Sequence, residues 1–175
     1  LILSLLASFL LLTLASYANA QNTVTFGNLD VCPQPAGSEI LVPIYVDNDV
    51  DLFAVDIVGQ IVSTSGGVDL VVTGITFDNR MGSTGDPTTD ALDQRYPIGD
   101  LGGGVFRLGA VKVEGLDLVS GTGQVATLTL EFVSECLLGS ASIDPGTFPC
   151  NGDVKTTMFM DGEGTVIVPD PVTSG

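Results

Sequence analysis

Three aspartates at alternate positions form the group with the clearest potential for chemistry. Asp47, Asp49 and Asp51 stand in the run DNDVD, and carboxylate oxygens are the ligands that Ca²⁺ prefers in proteins. The EF-hand pattern fails, because Leu52 replaces the glycine of that loop and Val58 replaces its bidentate glutamate. A turn whose carboxylates accept hydrogen bonds from backbone amides is the alternative interpretation. The sequence therefore predicts either a calcium site or an acidic turn at these three aspartates.

Two further acidic segments have a simpler interpretation. The first lies within the glycine- and proline-rich residues 78–104, where we expect a solvated surface loop with one helical turn near residues 90–94. Its acids are Asp78, Asp86, Asp90 and Asp93, for which a calcium site is the alternative. The second, residues 161–164 (DGEG), has the composition of a hairpin turn.

Several classes of catalytic site are disfavoured by composition. The chain has no histidine, so the Ser-His-Asp and Cys-His arrangements are excluded, and three scattered cysteines do not give a zinc-site spacing. Residues 102–104 (GGG) precede a strand rather than a helix, unlike a phosphate-binding loop. Paired carboxylates for glycoside hydrolysis stay open, but among 21 acidic residues any pair carries little information. We predict that the chain is not an enzyme.

One tyrosine is a candidate ligand contact. Sugars stack on exposed aromatic rings, but the chain has no tryptophan, and beyond residue 20 its tyrosines are Tyr45 and Tyr96. Tyr96 lies in the predicted loop and is the ring we expect to be exposed. A carbohydrate-binding module should present coplanar exposed rings, whereas a protein-binding module should present a broad, mixed sheet face.

Three cysteines allow one disulfide. Cys136 and Cys150 flank a short segment, so a local bridge between them is the first choice. Cys32 would then be unpaired or bridged to another part of a longer protein. Pairing of Cys32 with either of the others is the alternative.

The first twenty residues differ from the rest. Residues 1–20 are apolar and uncharged and end in Ala18-Asn19-Ala20, which predicts a signal peptide cleaved before Gln21 and a secreted or cell-surface protein. An uncleaved membrane anchor is the alternative, because the run is almost long enough to span a bilayer. The chain begins at Leu1, and we expect it to be a fragment of a longer protein.

The charge of the chain restricts its partners. Twenty-one acidic residues against five basic ones give a net charge of −16. Such a surface repels nucleic acid and anionic lipid, so we predict no nucleic-acid partner and no membrane association after cleavage.

Alternating patterns predict strands along most of the remaining chain. Residues 36–62 read as two strands around the acidic turn, and residues 124–133 alternate most regularly, with Leu128, Leu130 and Phe132 as the expected core face. About nine such runs, with almost no helical pattern, predict an all-β antiparallel sandwich. We place this domain at residues 21–168 and expect residues 169–175 (PDPVTSG) to begin a linker to a further module.

Three of these segments resemble the cohesin family of bacterial modules. Residues 36–48 (AGSEILVPIYVDN) and 51–57 (DLFAVDI) are similar to its first two characteristic strands, and residues 121–132 (GTGQVATLTLEF) to a late one. The resemblance implies a nine-stranded antiparallel jelly-roll β-sandwich, secreted or held at the cell surface. It also implies binding of dockerin modules, which depend on calcium, through one sheet face.

The predicted function follows from this resemblance. We expect a non-catalytic module that binds a dockerin-like protein and helps to assemble an extracellular, polysaccharide-degrading complex. A carbohydrate-binding module with a polysaccharide ligand is one alternative. A self-associating subunit of a surface layer or filament is the other.

Overall fold

Strands and their connecting turns make up most of the fold. The computed structural model describes residues 22–27, 29, 32–77, 79–82 and 90–174, so the predicted leader at 1–20 lies outside the described residues. The strands are β1 (Thr23–Phe26), β2 (Glu39–Asn48), β3 (Leu52–Ser65), β4 (Leu70–Phe77), β5 (Gln94–Asp100), β6 (Val105–Val111), β7 (Gly121–Phe132), β8 (Ser140–Pro145), β9 (Phe148–Cys150), β10 (Asp153–Lys155), β11 (Met158–Asp161), β12 (Val166–Ile167) and β13 (Asp170–Ser174). A single 3₁₀ turn, Asn79–Met81, follows β4. In this part of the chain, no helix has the length and apolar character needed to cross a bilayer.

The strands form two main sheets. The back sheet has the order β13-β1-β2-β7-β4, and the front sheet has the order β12-β11-β3-β6-β5, with β8 also paired to β3. β1 and β13 are parallel, and the other strand pairs are antiparallel. The predicted all-β antiparallel sandwich is confirmed. The count of nine strands is not confirmed, because the described residues include thirteen, several of them very short.

The core lies between the inner faces of the two sheets. Leu128, Leu130 and Phe132 on β7 are fully buried, which confirms the predicted core face of that strand. They pack in one cluster with alternating residues of the neighbouring strands, including Val42, Ile44, Val46, Val55, Ile57, Phe106, Leu108 and Phe159. Alternate residues of each strand thus face inward, as the period-two pattern of the sequence predicts, and form one buried layer on each sheet.

One glycine is required for this packing. The rings of Phe26 and Phe106 meet edge to face between the sheets, with centroids 5.7 Å apart. A Cβ atom at Gly59 would lie 2.4 Å from the Phe106 ring and 3.1 Å from the Phe26 ring. The two rings therefore occupy the space that a side chain at Gly59 would need.

Two segments that were predicted to be irregular contain strands. Gln94–Asp100 lies inside the predicted loop 78–104 but forms the edge strand β5, a position where Pro97 is tolerated because it need not donate to a neighbour. Asp170–Ser174 lies inside the predicted linker but pairs with β1 as β13. The sandwich therefore extends beyond the predicted boundary at residue 168.

The predicted Cys136–Cys150 disulfide is wrong. Cys136 bonds to Cys32 instead, across a sequence separation of 104 residues, and Cys150 is free. The register of β2 on β7 explains this pairing, because it sets Glu39 opposite Glu131 and so brings the segment before β2 beside the segment after β7. Gln34 and Cys136 then exchange two backbone hydrogen bonds of 2.8 Å next to the disulfide.

Removal of the Cys32–Cys136 disulfide should destabilise the fold strongly. In the chain-entropy model, a bridge that closes a loop of roughly 100 residues stabilises a protein by about 4–5 kcal/mol. We expect the free energy of unfolding of the double variant C32S/C136S to be lower than that of the wild type by about this amount. Urea denaturation under oxidising conditions measures the difference.

The matched control is C150S, which should change the free energy of unfolding by less than about 0.5 kcal/mol. A peptide map of the oxidised protein that linked Cys136 to Cys150 would contradict the assignment.

Candidate functional site

The three candidate calcium ligands belong to a hydrogen-bonded turn. The Asp47 carboxylate accepts a 2.7 Å hydrogen bond from the Thr122 hydroxyl, and the Asp51 carboxylate accepts one of 2.7 Å from the Ser120 amide. The Asp49 amide donates to the Asn22 side chain. Across the residues that the structure describes, no group of three or more acidic, cysteine or histidine side chains is arranged to hold a metal. These contacts match the turn interpretation, and the calcium site stays a prediction.

A buried amide and a guanidinium join this turn to its neighbours. Asn48 is 2% exposed, and its side-chain nitrogen donates to the carbonyls of Val50 and Val119 at 2.7 and 3.2 Å. Arg80, from the 3₁₀ turn, donates to the Val46 carbonyl and to Asn48 Oδ1, both at 2.7 Å. Burial lowers the pKa of Arg80, and the charge of Asp47 opposes that shift. This end of the sandwich is thus a structural hub.

Two acids of the predicted loop 78–104 make specific contacts with other groups of the chain. Asp90 is 1% exposed and forms a 3.2 Å ion pair with Arg95. Asp93 accepts hydrogen bonds from three successive amides, those of residues 113–115, at 2.8–3.2 Å. The backbone amides, that of Val113 first, lower the pKa of Asp93. Both carboxylates hold neighbouring loops in place. Because Asp90 is buried, the solvated-loop interpretation is wrong for Asp90, whereas Asp93 is partly exposed to solvent.

The outer surface of the front sheet is built differently. Residues that face outward on β11, β3, β6 and β5 align in two rows across the strands. The first row is Met160, Ala54, Val111 and Gln94, and the second is Met158, Asp56, Gly109 and Tyr96. We call these eight residues the front face. An open groove of about 270 Å³ lies on this face. Its floor includes the small residues Ala54 on β3 and Gly109 on β6, the two methionines lie at one side, and Tyr96 lies at the other.

At one end of this groove, two charged side chains neutralise each other in an ion pair. Arg107 donates to both carboxylate oxygens of Asp56, each at 2.7 Å, in a bidentate contact across β3 and β6. The hydrogen bond to Asp56 raises the pKa of Arg107. Neither charge is left without a partner, so the groove presents an apolar floor beside a neutralised polar edge.

A hairpin stands on the outer surface beside this groove. The Phe148 ring, on β9, lies 5.1 Å from the Arg107 guanidinium. Val58, the next outward residue of β3, is fully buried yet lies outside the core between the sheets. The β9–β10 hairpin therefore covers what would otherwise be a third row.

The two described tyrosines lie on opposite sides of the sandwich. Tyr96 is 51% exposed on the front face, and its hydroxyl donates to Gln94 at 3.2 Å. Tyr45 is 38% exposed and alternates with the buried Ile44 and Val46 on β2, so it faces outward from the back sheet. Tyr96 as a ligand contact stays a prediction, and the two rings do not form a common platform.

The sequence reasoning missed most of the front face. Ala54, Gly109, Met158 and Met160 carry no chemical motif, and the short strand β11 hardly displays its alternation. The signal that could have found the site is in β6, where Arg107 and Gly109 share the outward side of an otherwise buried strand. A glycine at such a position often marks a close approach by another molecule.

Neutralisation of Asp93 should destabilise the fold in a pH-dependent way. Because its folded-state pKa is lowered, the stabilisation by Asp93 is present above the unfolded pKa of about 3.9 and is lost as the pH falls through the folded value. We expect D93N to unfold at lower urea concentration than the wild type at pH about 7.

The two proteins should converge as the pH falls below the folded-state pKa of Asp93, where the wild-type carboxylate is itself protonated. D49N, in the exposed turn between β2 and β3, is the control. A difference between D93N and the wild type that stayed constant with pH would contradict this assignment.

Comparison with known proteins identifies the fold. No protein-family model and no curated protein matches the chain. Among solved structures, the third cohesin of ScaC from Acetivibrio cellulolyticus, in complex with the ScaB dockerin, aligns with a TM-score of 0.57 and 15% identity, covering 87% of this chain and 92% of that one. The cohesin of the Coh-OlpC–Doc435 complex from Clostridium thermocellum aligns at 0.56 and 13%, covering 92% and 93%.

A third similar structure comes from an archaeon. The non-cellulosomal cohesin of Archaeoglobus fulgidus aligns with a TM-score of 0.53 and 15% identity, covering 89% of this chain and 86% of that one. Identities this low establish likeness of fold, and the agreement covers nearly the whole sandwich. The chain therefore has the cohesin fold that its strand patterns resembled.

Proposed function

We propose that this chain is a non-catalytic, cohesin-like binding module that holds a dockerin-type protein module on its front face. The observation that carries the proposal is the open groove between Met158, Met160 and Tyr96, with Ala54 and Gly109 on its floor. Solved structures of the same fold were determined with dockerins bound to cohesins. The assembly served would be an extracellular, polysaccharide-degrading complex.

The composition of the front face suits a protein partner. Methionine side chains adapt their shape to an apolar surface, and tyrosine gives a large contact area at low entropic cost. Asp56 and Arg107 already form an ion pair within the chain. A partner that covers this pair therefore does not bury an unpaired charge. An apolar centre beside a satisfied polar group is the usual anatomy of a protein interface.

The geometry gives less support to the alternatives. A flat polysaccharide needs aligned rings, whereas Tyr45 and Tyr96 point away from opposite sheets. Proton-transfer chemistry at the groove would need a carboxylate available to a substrate, whereas Asp56 is engaged by Arg107 through both oxygens.

Secretion is part of the proposal. Disulfides persist in oxidising compartments, and the Cys32–Cys136 bridge fits such a location. The apolar residues 1–20, with their Ala-Asn-Ala end, supply the expected export signal.

Filling the groove should abolish docking without unfolding the module. A Cβ atom at Gly109 would lie 3.9 Å from Tyr96 and 4.0 Å from Asp56, which is ordinary contact, so a side chain can be added there. We expect the wild type to bind at least one member of an array of purified dockerin modules. G109R should lower that affinity about a hundredfold, as expected for loss of a central hot spot of roughly 3 kcal/mol.

The matched control is T76R, which adds the same side chain to an exposed site on the outer face of the back sheet. It should leave the affinity unchanged. If no dockerin module binds, or if T76R weakens binding as much as G109R, the proposal fails.

Association should also depend strongly on salt. Because the chain carries a net charge of −16, a partner with a basic rim is attracted at long range, and that attraction is screened by ions. We expect the association rate constant, measured by surface plasmon resonance, to fall about tenfold or more between about 0.05 M and 0.5 M NaCl.

The dissociation rate constant should change much less, because it reports the short-range contacts in the groove. An association rate that did not change with salt, or rose with it, would contradict an electrostatic contribution to docking.

A further inference from the structure

The β9–β10 hairpin leaves the front sheet and returns to it at one place. β8 ends at Pro145 opposite Gly59, and β11 begins at Met158 opposite Asp56, so both strands pair with the same edge of β3. The segment between them projects outward as a hairpin. Its turn residues, Asn151 and Gly152, have φ values of 51° and 88°, as a tight type I′ turn requires.

Both ends of the hairpin are fixed at Val58. The Thr157 hydroxyl accepts from the Val58 amide at 3.0 Å and donates to the Val58 carbonyl at 3.1 Å. The Gly146 amide donates to the same carbonyl at 3.0 Å. Because these contacts join the base of the hairpin to the central strand, hydrogen bonds to the Val58 backbone set its position over the sheet.

A second contact holds the hairpin down over the sheet. Phe148 lies against the Arg107 guanidinium, which is itself held in place by Asp56. A cation over an aromatic ring at this distance is attractive. The hairpin therefore forms a wall along the second row of the front face.

The wall leaves a space about one helix wide. Successive outward residues along a strand are about 6.8 Å apart, and neighbouring strands are about 4.8 Å apart. Two rows on four strands thus give a strip about 7 Å between row centres and about 14 Å long. An α-helix with its side chains is about 10–12 Å wide, and about nine residues of helix span 14 Å.

We propose that the β9–β10 hairpin is a specificity element that limits the front face to a single docking helix lying across the strands. This inference rests on the proposed function. The hairpin would act by exclusion, because a module that presents two adjacent helices to the sheet collides with the wall at Phe148. Rejection of a competing shape is an effective way to gain specificity.

The test removes the wall and keeps its anchors. In one variant, residues 148–155 are replaced by two glycines, which leaves Gly146 and Thr157 in place. Wild type and variant are titrated against the same array of purified dockerin modules. We expect the variant to bind at least one module that the wild type rejects, with a gain of tenfold or more, and to hold the wild-type partners within about threefold.

Two point variants make the test independent of the deletion. F148A removes the ring beside Arg107 without shortening the backbone and should widen the set of bound modules in the same direction. V154A changes a 69% exposed side chain of the same hairpin and should change nothing. Circular dichroism and melting temperature check that each variant is folded.

The outcomes distinguish failure of the exclusion role from failure of the proposed function. An unchanged set of modules for both the shortened variant and F148A would overturn the exclusion role while leaving the proposed function intact. A uniform loss of affinity would also overturn it, because the hairpin would then contribute contacts rather than exclude partners. If neither wild type nor variants bind any module, the proposed function fails, and this inference fails with it.

Discussion

The antiparallel ladder between β2 and β7 is the constraint on which the rest of the structure depends. Ten consecutive residues of β2, from Glu39 to Asn48, are paired with β7. A slip by one residue would turn every core side chain of β2 toward solvent. A single register shift, between Ile44 and Tyr45, leaves Val125 unpaired and allows both Val125 and Ala126 to be buried. This ladder therefore fixes the inner face of the back sheet.

The same ladder sets both ends of the sandwich. At one end it brings the segments before β2 and after β7 together, and the Cys32–Cys136 disulfide joins them. At the other end it delivers Asn48 to the carbonyl of Val119 and to the guanidinium of Arg80. A covalent bond and a buried polar hub thus secure opposite ends of one strand pair. The front sheet, in which β8 and β11 both pair with β3, packs against a back sheet that is held in this way.

Long alternating strands could be predicted from sequence, and features created by tertiary pairing could not. β2, β3 and β7 each have ten or more residues, enough for the period of two to dominate any other pattern. The disulfide depends on a register between strands some ninety residues apart, so a rule based on proximity in sequence chose the wrong partner for Cys136. Asp93 looked like any solvated acid, because the amides that donate to it belong to a loop about twenty residues further along the chain. The sequence around Asp93 gives no indication of those amides.

The cost of desolvation favours the front sheet over the back sheet as the proposed docking surface. On the back sheet, Glu39 stands directly opposite Glu131, so a partner that covered that end would bury two like charges. On the front sheet, the central charges are Asp56 and Arg107, which neutralise each other in a bidentate contact. A partner therefore removes water from apolar atoms and from a satisfied ion pair. The cost of burial is lower there, and the apolar gain from the methionines and Tyr96 is kept.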